Sequence, residues 1–429
     1  MKRRDFIVKS LLAAAGTAVL GGCAPGGRRT ELGATGTGID TRRFQHLDIP
    51  ALGLGVMRLQ LVPNAANNTQ IDMHNFEQMV DYGMRHGMNF FDTAWHYHGG
   101  ESEGALGRVL EHYKRDSVII STKSPTRTLT SRDDVRRVFD EQLRRLRVDY
   151  IDFYLAHFLS HLTEDTFRNF RVYDELLKIK EEGLIKHLGF SYHGEHTLLQ
   201  RFVDDFEWEF TLIQMNYLDW RTENEPRIGD VGAGVRNAYR NYEVLERAGL
   251  PIMVMTPLRG GALTRLTGSA AALLREEAPH DTQASFGLRW AASKPMVFNV
   301  LSGMANVQQM QENVATFTNM RPFTERYNYV AQRVAFMLQR HGEINCTTCN
   351  YCVGCPRRIP IAEIFDAYNE YRASGNGAAF LARYDAIAPQ FRADRCIRCN
   401  YCNEQCPQAL DIPPLLDEVI AAVNRLRAG

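Results

Sequence analysis

The sequence predicts an α/β fold, a closed (β/α)8 TIM barrel, with a small cysteine-rich domain after it. Short apolar runs alternate eight times with longer segments of helical periodicity between about residues 43 and 321. No Gly-rich G-x-G-x-x-G turn follows the first apolar run, which disfavours an open doubly wound sheet. Of the nine cysteines, eight lie between Cys346 and Cys406, in a region of their own.

The barrel elements follow from periodicity. Strands of a parallel sheet are buried on both faces, so they appear as continuous apolar runs. The expected strands are Ala51–Met57, Met88–Phe91, Ser117–Thr122, Tyr150–Ala156, Ile185–Ser191, Phe210–Met215, Pro251–Thr256 and Met296–Leu301. The expected helices are Asn75–His86, Glu103–Tyr113, Arg132–Leu146, Thr166–Glu182, His196–Asp205, Ala238–Ala248, Thr282–Ser293 and Val307–Phe317. The connection at residues 218–237 is long, and we expect it to border the substrate.

Length and charge limit the organisation and the partners. The chain has 429 residues, a length that suggests two to three structural units. With the apolar runs and the cysteines, it predicts an N-terminal segment, a barrel at residues 42–322 and a C-terminal domain at residues 323–429. Basic and acidic residues number 50 each, so no nucleic acid is expected as a partner.

The N-terminal segment, residues 1–41, is expected to be an export signal and a flexible tether. An Arg-Arg-x-Phe pattern at residues 3–6 precedes an apolar run at residues 10–22 that is too short to span a membrane. The pattern resembles a twin-arginine signal and predicts a periplasmic protein, or one anchored on the outer side of the cytoplasmic membrane. Cys23 ends a lipobox-like sequence, so it is either a lipid anchor or an unmodified residue of the leader.

Four side chains that suit carbonyl chemistry follow the second, third and fourth strands. Asp92 and Tyr97 follow the second strand, Lys123 the third and His157 the fourth. Active sites of such barrels lie where the strands end, so these side chains should meet at one mouth. Each residue alone is more often a structural polar group, and only the joint pattern indicates catalysis.

These residue types fit a hydride transfer to a carbonyl carbon, which leaves negative charge on the oxygen. Tyr97 can supply the proton, but a free tyrosine has a pKa near 10. A neighbouring Lys123 ammonium should lower that pKa, and Asp92 should hold the ammonium in place. His157 can hydrogen-bond the carbonyl oxygen and polarise it.

The barrel resembles the aldo-keto reductase family. The similarity lies in F-D-T-A-x-x-Y at residues 91–97, G-E-S-E at 100–103, D-Y-I-D-x-Y-x-x-H at 149–157 and I-K-H-L-G-F-S at 185–191. The resemblance implies that Tyr97 is the proton donor, Lys123 tunes its pKa, Asp92 is the partner of Lys123 and His157 orients the substrate. It also implies a small carbonyl or alcohol substrate.

The same resemblance implies a bound NAD or NADP. Ser191 and Gln214 would hold the nicotinamide carboxamide, and Gly303, Glu312 and Asn313 would lie near the adenosine. Two positions depart from the family pattern. Met255 stands where many members stack an aromatic ring on the nicotinamide, and Asn306 stands where many place a cation for the 2′-phosphate of NADP, which weakens the case for NADP.

The cysteines form two runs with the spacing of iron–sulfur ligands. Cys396-x2-Cys399-x2-Cys402-x3-Cys406-Pro is the bacterial ferredoxin pattern. The first run differs only in a final gap that is one residue shorter. Its members are Cys346, Cys349, Cys352 and Cys355. Zinc would require only one set of four ligands, usually two separated pairs, and a disulfide framework would scatter its cysteines, so both alternatives are disfavoured.

The final cysteine of such a run binds the other cluster in two-cluster proteins. Eight ligands favour two [4Fe-4S] clusters over one. The expected sets are Cys346, Cys349, Cys352 and Cys406 for one cluster and Cys396, Cys399, Cys402 and Cys355 for the other. Residues 361–392, between the runs, have helical patterning with aromatic residues expected in the core, which predicts an α-helical ferredoxin-like iron–sulfur domain.

The favoured function is an oxidoreductase that interconverts a carbonyl and an alcohol, with clusters that relay electrons to or from a redox partner protein. A hydride carries two electrons, whereas a cluster passes one at a time. The sequence does not show how hydride transfer in the barrel would be coupled to electron transfer through the clusters. The alternative is an exported electron-transfer or cofactor-binding protein whose barrel is not catalytically active. A third hypothesis gives the clusters a purely structural role.

Overall fold

Eight parallel strands close into a barrel, and a short antiparallel hairpin covers the end where these strands begin. The computed structural model describes residues 38–62, 70–220, 238–339, 342–408 and 410–428. The hairpin consists of β1 (Thr41–Phe44) and β2 (Leu47–Pro50). The barrel strands are β3 (Leu52–Gly55), β4 (Phe90–Asp92), β5 (Ile119–Ser124), β6 (Ile151–Leu159), β7 (Ile185–Tyr192), β8 (Phe210–Gln214), β9 (Ile252–Met255) and β10 (Val297–Ser302).

Each barrel strand overlaps one of the predicted apolar runs, so the predicted fold class is confirmed. The inside of the barrel is filled rather than open. Phe44, on the hairpin, packs against the rings of Phe153, Phe210 and Phe298, with ring centroids 4.7 to 6.1 Å apart. This packing closes the N-terminal end of the barrel, which leaves the opposite end for a binding site.

Helices cover the outside of the barrel. They are α1 (Met73–Arg85), α2 (Ser102–Leu110), α3 (Asp134–Leu146), α4 (Glu164–Asn169), α5 (Val172–Glu181), α6 (His196–Asp205), α7 (Ala238–Ala248), α8 (Gly268–Glu277), α9 (Gln283–Ala292), α10 (Val307–Phe317) and α11 (Glu325–Gln339). Each contributes buried apolar residues to the core of the barrel, as expected for an amphipathic helix.

One predicted helix is wrong. The segment Thr166–Glu182 was expected to be continuous, but it forms α4 and α5 with a break between them. Arg171 adopts a left-handed backbone conformation with φ of 51°. An L-residue in this conformation does not continue a right-handed helix, so the chain changes direction there. The sequence contains no glycine or proline at this point to signal the break.

The C-terminal region has a core of its own. Its helices are α12 (Ile361–Ser374), α13 (Gly377–Ala386), α14 (Tyr401–Gln405) and α15 (Ile412–Ala428). Ile364, Phe365 and Tyr368 are fully buried in this core, so they are core residues as predicted. Helix α11, which precedes the region, instead buries its apolar face in the barrel core.

In the described ranges, no helix combines the length and apolar character that a bilayer crossing requires. The expected signal, the tether up to residue 37 and Cys23 lie outside the described residues. Most of the long connection, residues 221–237, lies outside them as well.

Candidate active site

The four predicted catalytic side chains meet at the open mouth of the barrel. Asp92 is the last residue of β4, and Lys123 and His157 lie near the ends of β5 and β6. The parallel register pairs Asp92 with Ser121 on the adjacent strand, so these strand ends lie side by side. Tyr97 reaches the same place from the loop after β4. All four line one cavity of about 720 Å³.

Lys123 and Asp92 form a buried ion pair. The Lys123 Nζ donates to both carboxylate oxygens of Asp92, at 2.7 and 2.8 Å, and to the backbone oxygen of Thr93 at 2.6 Å. Ser121 adds a fourth hydrogen bond by donating to Asp92 at 2.8 Å. Burial raises the pKa of Asp92 and lowers the pKa of Lys123, while the charge of each partner acts in the opposite direction. The attraction between the two charges and their hydrogen bonds therefore both oppose the cost of burial.

Tyr97 lies beside this pair without a hydrogen bond from Lys123. The Lys123 Nζ lies 5.2 Å from the centroid of the Tyr97 ring, over its face. Tyr351, from the C-terminal region, lines the same cavity as Tyr97. Burial, and then the charge of Asp92, raise the pKa of Tyr97. The sequence predicted a lowered pKa, so the structure gives the opposite direction. Tyr97 therefore keeps its proton at neutral pH, which suits a proton donor.

His157 faces the cavity because of a local distortion in its strand. The pairing of β6 with β7 shifts between Ala156 and Leu159. Phe158 has a φ of 65°, and its N–H donates to the Ser191 hydroxyl at 2.8 Å. Bulges of this kind often turn side chains toward active sites. Burial, and then the charge of Lys123, hold the pKa of His157 well below its usual value, so the imidazole is neutral.

The five residues expected to bind the nucleotide line the same cavity: Ser191, Gln214, Gly303, Glu312 and Asn313. Gln214 lies 3.3 Å from the Nδ1 of His193. Asn313 donates to the Ser302 hydroxyl at 3.0 Å.

The two departures from the family pattern are also in the cavity wall. Met255 lines the cavity at the end of β9. Asn306 caps helix α10, and its side-chain oxygen accepts from the N–H of Gln309 at 3.0 Å. The side-chain oxygen of Asn306 is therefore engaged in capping the helix. Because asparagine is uncharged, Asn306 offers no positive charge to a ligand.

The C-terminal region completes the cavity wall. Its lining residues are Thr347, Cys349, Tyr351, Pro407 and Gln408. Arg58, which follows β3, donates to the backbone oxygen of Thr347 at 2.6 Å. Gly260, which has a φ of 67°, packs so tightly on the same carbonyl that a Cβ there would lie 2.2 Å from it. The iron–sulfur region is therefore part of the barrel's binding site rather than a separate appendage.

The eight clustered cysteines surround two cavities. One cavity is lined by Cys346, Cys349, Cys352 and Cys406. The other is lined by Cys355, Cys396, Cys399 and Cys402. These are the two sets that the spacing predicted, with the fourth cysteine of each run exchanged. None of the eight forms a disulfide.

The cysteine sets suit a polynuclear cluster. Among the described residues, no group of three or more His, Cys, Asp or Glu side chains is arranged to hold a single metal ion. Burial raises the pKa of Cys346 to about 12 and that of Cys349 to about 11. Four neighbouring thiols can lose their protons together only if positive charge lies between them. A [4Fe-4S] cluster supplies that charge and is large enough to span four sulfurs around a cavity.

Many lining residues were not predicted from the sequence, and among them are Arg58, His193, Tyr351 and Gln408. Arg58 and His193 follow β3 and β7, so the rule that found Lys123 would have found them too. Tyr351 and Gln408 adjoin cysteines of the C-terminal region, and only tertiary packing brings them to the barrel. Gln408 is buried, and its Oε1 has no hydrogen-bond partner in the described part of the chain.

Residues 51–332 match the profile of the aldo/keto reductase family, and residues 345–411 match the 4Fe-4S dicluster domain. The first match covers more than half of the chain, so the protein belongs to the aldo/keto reductase family. With the site described above, this makes it an oxidoreductase of the aldo-keto reductase type, extended by an iron–sulfur domain.

Known proteins similar to the chain cover the barrel. An oxidoreductase named YqkF from Bacillus subtilis is 26% identical over 296 residues, 65% of this chain and 90% of that protein. The NADH-specific methylglyoxal reductase of Escherichia coli is 25% identical over 317 residues, 63% of this chain and 90% of that protein. The structure of an aldo-keto reductase from Klebsiella pneumoniae in complex with NADPH has a TM-score of 0.52 at 20% identity, covering 68% of this chain and 93% of that one.

Proposed function

We propose that the barrel mouth interconverts a small carbonyl compound and its alcohol with a nicotinamide cofactor. The observation that supports this most strongly is the single cavity lined by all nine residues expected for catalysis and nucleotide binding. A bound nicotinamide would supply or accept the hydride. The alternative, a barrel without catalytic activity, has less support because the proton donor and the buried ion pair are both intact.

Each side chain has a role that follows from its position in the cavity. His157, neutral at physiological pH, hydrogen-bonds the carbonyl oxygen and orients it. Tyr97 gives its proton to that oxygen as the carbon receives the hydride. The Asp92–Lys123 pair keeps a fixed, dry charge arrangement under the tyrosine ring. Ser191 and Gln214 hold the carboxamide end of the cofactor.

The adenosine end of the cavity favours NAD over NADP. The polar side chains that line the cavity from α10 and the turn before it are Asn306, Gln308, Gln309, Glu312 and Asn313. None of these is basic, and Glu312 would oppose a 2′-phosphate. We therefore expect NADH to bind more tightly than NADPH.

We also propose two [4Fe-4S] clusters, one for each group of four cysteines. The clusters would provide one-electron exchange with a redox partner protein. One-electron exchange is supported at the cavity lined by Cys355, Cys396, Cys399 and Cys402. Cys399 is exposed there, so a partner protein can approach it. Export through a twin-arginine signal and lipid attachment at Cys23 complete the proposal. Both are tested by expression in a bacterial host, cell fractionation and mass spectrometry of the mature N-terminus.

The first experiment is anaerobic purification followed by iron and sulfide analysis. Two clusters predict about eight irons per chain. Titration with NADH and NADPH then measures nucleotide binding, and methylglyoxal serves as the probe carbonyl. Oxidation of NADH that depends on methylglyoxal supports the proposal. Binding of neither nucleotide, or binding without turnover of any small aldehyde or ketone, would favour the catalytically inactive alternative.

A further inference from the structure

Gln214 has an amide side chain, which can present either of two different atoms to the cavity. Its Nε2 carries two hydrogens and its Oε1 carries none, so a half turn of the amide exchanges a donor for an acceptor. Gln214 ends β8 and lines the cavity, and the proposed function assigns it to the carboxamide of the cofactor. The orientation of the amide therefore decides which end of a carboxamide Gln214 can bind.

His193, the residue after β7, lies against the amide of Gln214. Its Nδ1 is 3.3 Å from the Gln214 Nε2. Burial, and then the charge of Lys123, lower the pKa of His193 to about 3, so the imidazole is neutral at physiological pH. An amide nitrogen can only donate, so the Nδ1 of His193 accepts and the ring carries its proton on Nε2. The Oε1 of Gln214 is then the atom left to accept from a ligand.

The imidazole of His193 is held by the neighbouring strand. Its ring stacks on that of Phe158, with the centroids 4.5 Å apart and the planes at 23°. Its backbone N–H donates to the carbonyl of Leu159 at 2.9 Å. Both contacts come from the distorted end of β6, so the position of the imidazole is fixed before any nucleotide binds.

The same distorted strand fixes the hydrogen-bonding role of Ser191. The Ser191 hydroxyl accepts from the backbone N–H of Phe158 at 2.8 Å, so its own hydrogen remains to be donated. The cavity wall thus offers one donor, on Ser191, and one acceptor, on Gln214. A carboxamide complements this pair, because its carbonyl oxygen accepts and its NH2 group donates.

We propose that His193 is a positioning residue that holds the amide of Gln214 with its Oε1 toward the nicotinamide carboxamide, so that the site selects a dinucleotide with an NH2 group there. His193 acts through Gln214 rather than on the reacting carbonyl. This inference rests on the proposed nicotinamide-dependent function, and it names the residue that sets the selectivity for the carboxamide.

The selectivity is measured as binding, without turnover. Calorimetry of the anaerobic, cluster-loaded protein gives the dissociation constants of NAD+ and of its 3-acetylpyridine analogue, which has a methyl group in place of the NH2. The wild type should bind NAD+ roughly three- to tenfold more tightly, the effect of one hydrogen bond. His193→Phe keeps a ring on Phe158 but lacks the acceptor, so the amide of Gln214 can turn and the preference should fall below about twofold.

Further variants separate positioning from folding. His193→Asn provides an oxygen acceptor near the place of Nδ1 and should restore part of the preference. His193→Leu also lacks an acceptor and replaces His193→Phe if that protein does not fold. The matched control is His86→Phe after α1, where the imidazole stacks on Tyr82 and its Nδ1 lies 2.7 Å from the Tyr82 carbonyl oxygen. His86 is not among the residues that line the cavity, so this control should keep the wild-type preference.

A double-mutant cycle tests whether His193 acts through Gln214. Gln214→Leu removes the amide and should weaken the binding of NAD+. Adding His193→Phe to Gln214→Leu should then have no further effect, so the two single effects should not add. ADP-ribose lacks the nicotinamide, and its dissociation constant should change by less than about twofold in every variant.

Each outcome bears on one claim. A His193→Phe protein that keeps the wild-type preference, or additive effects in the cycle, overturns the role of His193. Equal loss of NAD+ and ADP-ribose binding in His193→Phe overturns it too, because only a general structural change would weaken both. A wild type that binds the analogue as tightly as NAD+ contradicts the orientation of Gln214. A wild type that binds neither NAD+ nor ADP-ribose contradicts the proposed function itself.

Discussion

Lys123 and Asp92 form a buried ion pair at the centre of the site, and the geometry uses every donor of the lysine. The side chains are 1% and 4% exposed, so neither charge is solvated by water. Such a pair contributes little net stability compared with apolar residues, but removing one partner leaves an uncompensated buried charge. Its value to the protein is the fixed position of Asp92 and Lys123 beside Tyr97.

Lys123→Met should therefore destabilise the protein by about 3–5 kcal/mol at neutral pH. The double variant Lys123→Met with Asp92→Asn should be more stable than Lys123→Met alone, because no buried carboxylate remains. Urea unfolding of the cluster-loaded proteins measures both differences. A double variant that is less stable than the single one would contradict this account of the pair.

The pH dependence of Lys123→Met follows from the same charge. Burial raises the pKa of Asp92, and Lys123 is the main group that lowers it. Without the lysine, the folded protein binds the proton more tightly than the unfolded chain does. The contribution of Asp92 to stability should then be lost as the pH rises above about 3.9, the usual aspartate value, so the stability deficit of Lys123→Met relative to wild type should grow from acid to neutral pH. An unchanged pH profile of unfolding would show that Asp92 stays charged.

Residue types at strand ends could be predicted from the sequence, but their hydrogen bonds could not. Asp92, Tyr97, Lys123 and His157 were found because parallel strands end at a common mouth. The pKa of Tyr97 was predicted in the wrong direction, since its burial, which raises the pKa, depends on how the C-terminal domain docks. No local pattern around Tyr351 distinguishes it from Tyr401, which has the same neighbours in sequence.

Glu209, just before β8, connects several secondary-structure elements at the N-terminal end of the barrel. Its carboxylate accepts from the backbone N–H of Leu188 at 2.8 Å and lies 3.0 Å from the His187 ring nitrogen, both on β7. It also pairs with Lys180 on α5 and accepts from Gln45 in the turn of the hairpin. One side chain thus joins a helix, two strands and the hairpin.

Glu209→Gln should lower the stability at pH 7, and the difference should shrink in acid. Burial alone would raise the pKa of Glu209, but its hydrogen bonds with His187 and Leu188, among others, lower it to about 2. A lowered pKa stabilises the fold above the unfolded value of about 4.3, and this contribution is lost as the pH falls from there toward about 2.

Urea unfolding of wild type and Glu209→Gln at several pH values measures the difference. Glu277→Gln, which breaks an ion pair to the exposed Arg326, is the control and should show a smaller effect. A gap between wild type and Glu209→Gln that is constant from pH 7 to pH 3 would contradict the predicted role of the carboxylate.

The order of strands and helices could be predicted well. The periodicity of the apolar residues and the length of each apolar run distinguish buried strands from amphipathic helices. The split of Thr166–Glu182 was missed, since Arg171 takes a backbone conformation that arginine rarely adopts. The hairpin that covers the N-terminal end of the barrel was not predicted either. Its strands have only four residues each, too few for a periodic signal.

In the whole molecule, arginines after the barrel strands hold the C-terminal domain over the mouth. Arg259 is buried, donates to Asn345 at 2.6 Å and contacts the carboxylates of Asp219 and Glu343 at 3.4 Å. Arg265 pairs with Asp366 at 2.6 Å, but its side chain is 56% exposed. The two arginines make contacts across the same interface with different access to water.

Arg259→Ala should destabilise the protein by about 3–5 kcal/mol, because it leaves two carboxylates partly or fully buried beside an empty space. Arg265→Ala removes a solvated ion pair and should cost less than about 1 kcal/mol. Denaturation of the anaerobic, cluster-loaded variants measures both values. Equal losses would show that burial does not control the strength of this interface.

The docking of the two domains is the part of the molecule that sequence reasoning could not provide. Periodicity and cysteine spacing define each domain separately, but nothing in either pattern states which surfaces meet. The contact places Cys349 and Tyr351 in the wall of the barrel's cavity. One of the cysteines expected to bind a cluster therefore lies in the same cavity wall as the predicted catalytic residues.

The turnover of Tyr97→Phe tests most directly whether the barrel mouth reduces a carbonyl. This variant should bind NADH as the wild type does, keep its iron, and reduce methylglyoxal at least about a hundredfold more slowly, the usual contribution of a general acid. A Tyr97→Phe protein that reduces methylglyoxal at the wild-type rate would show that the barrel mouth is not where the carbonyl is protonated.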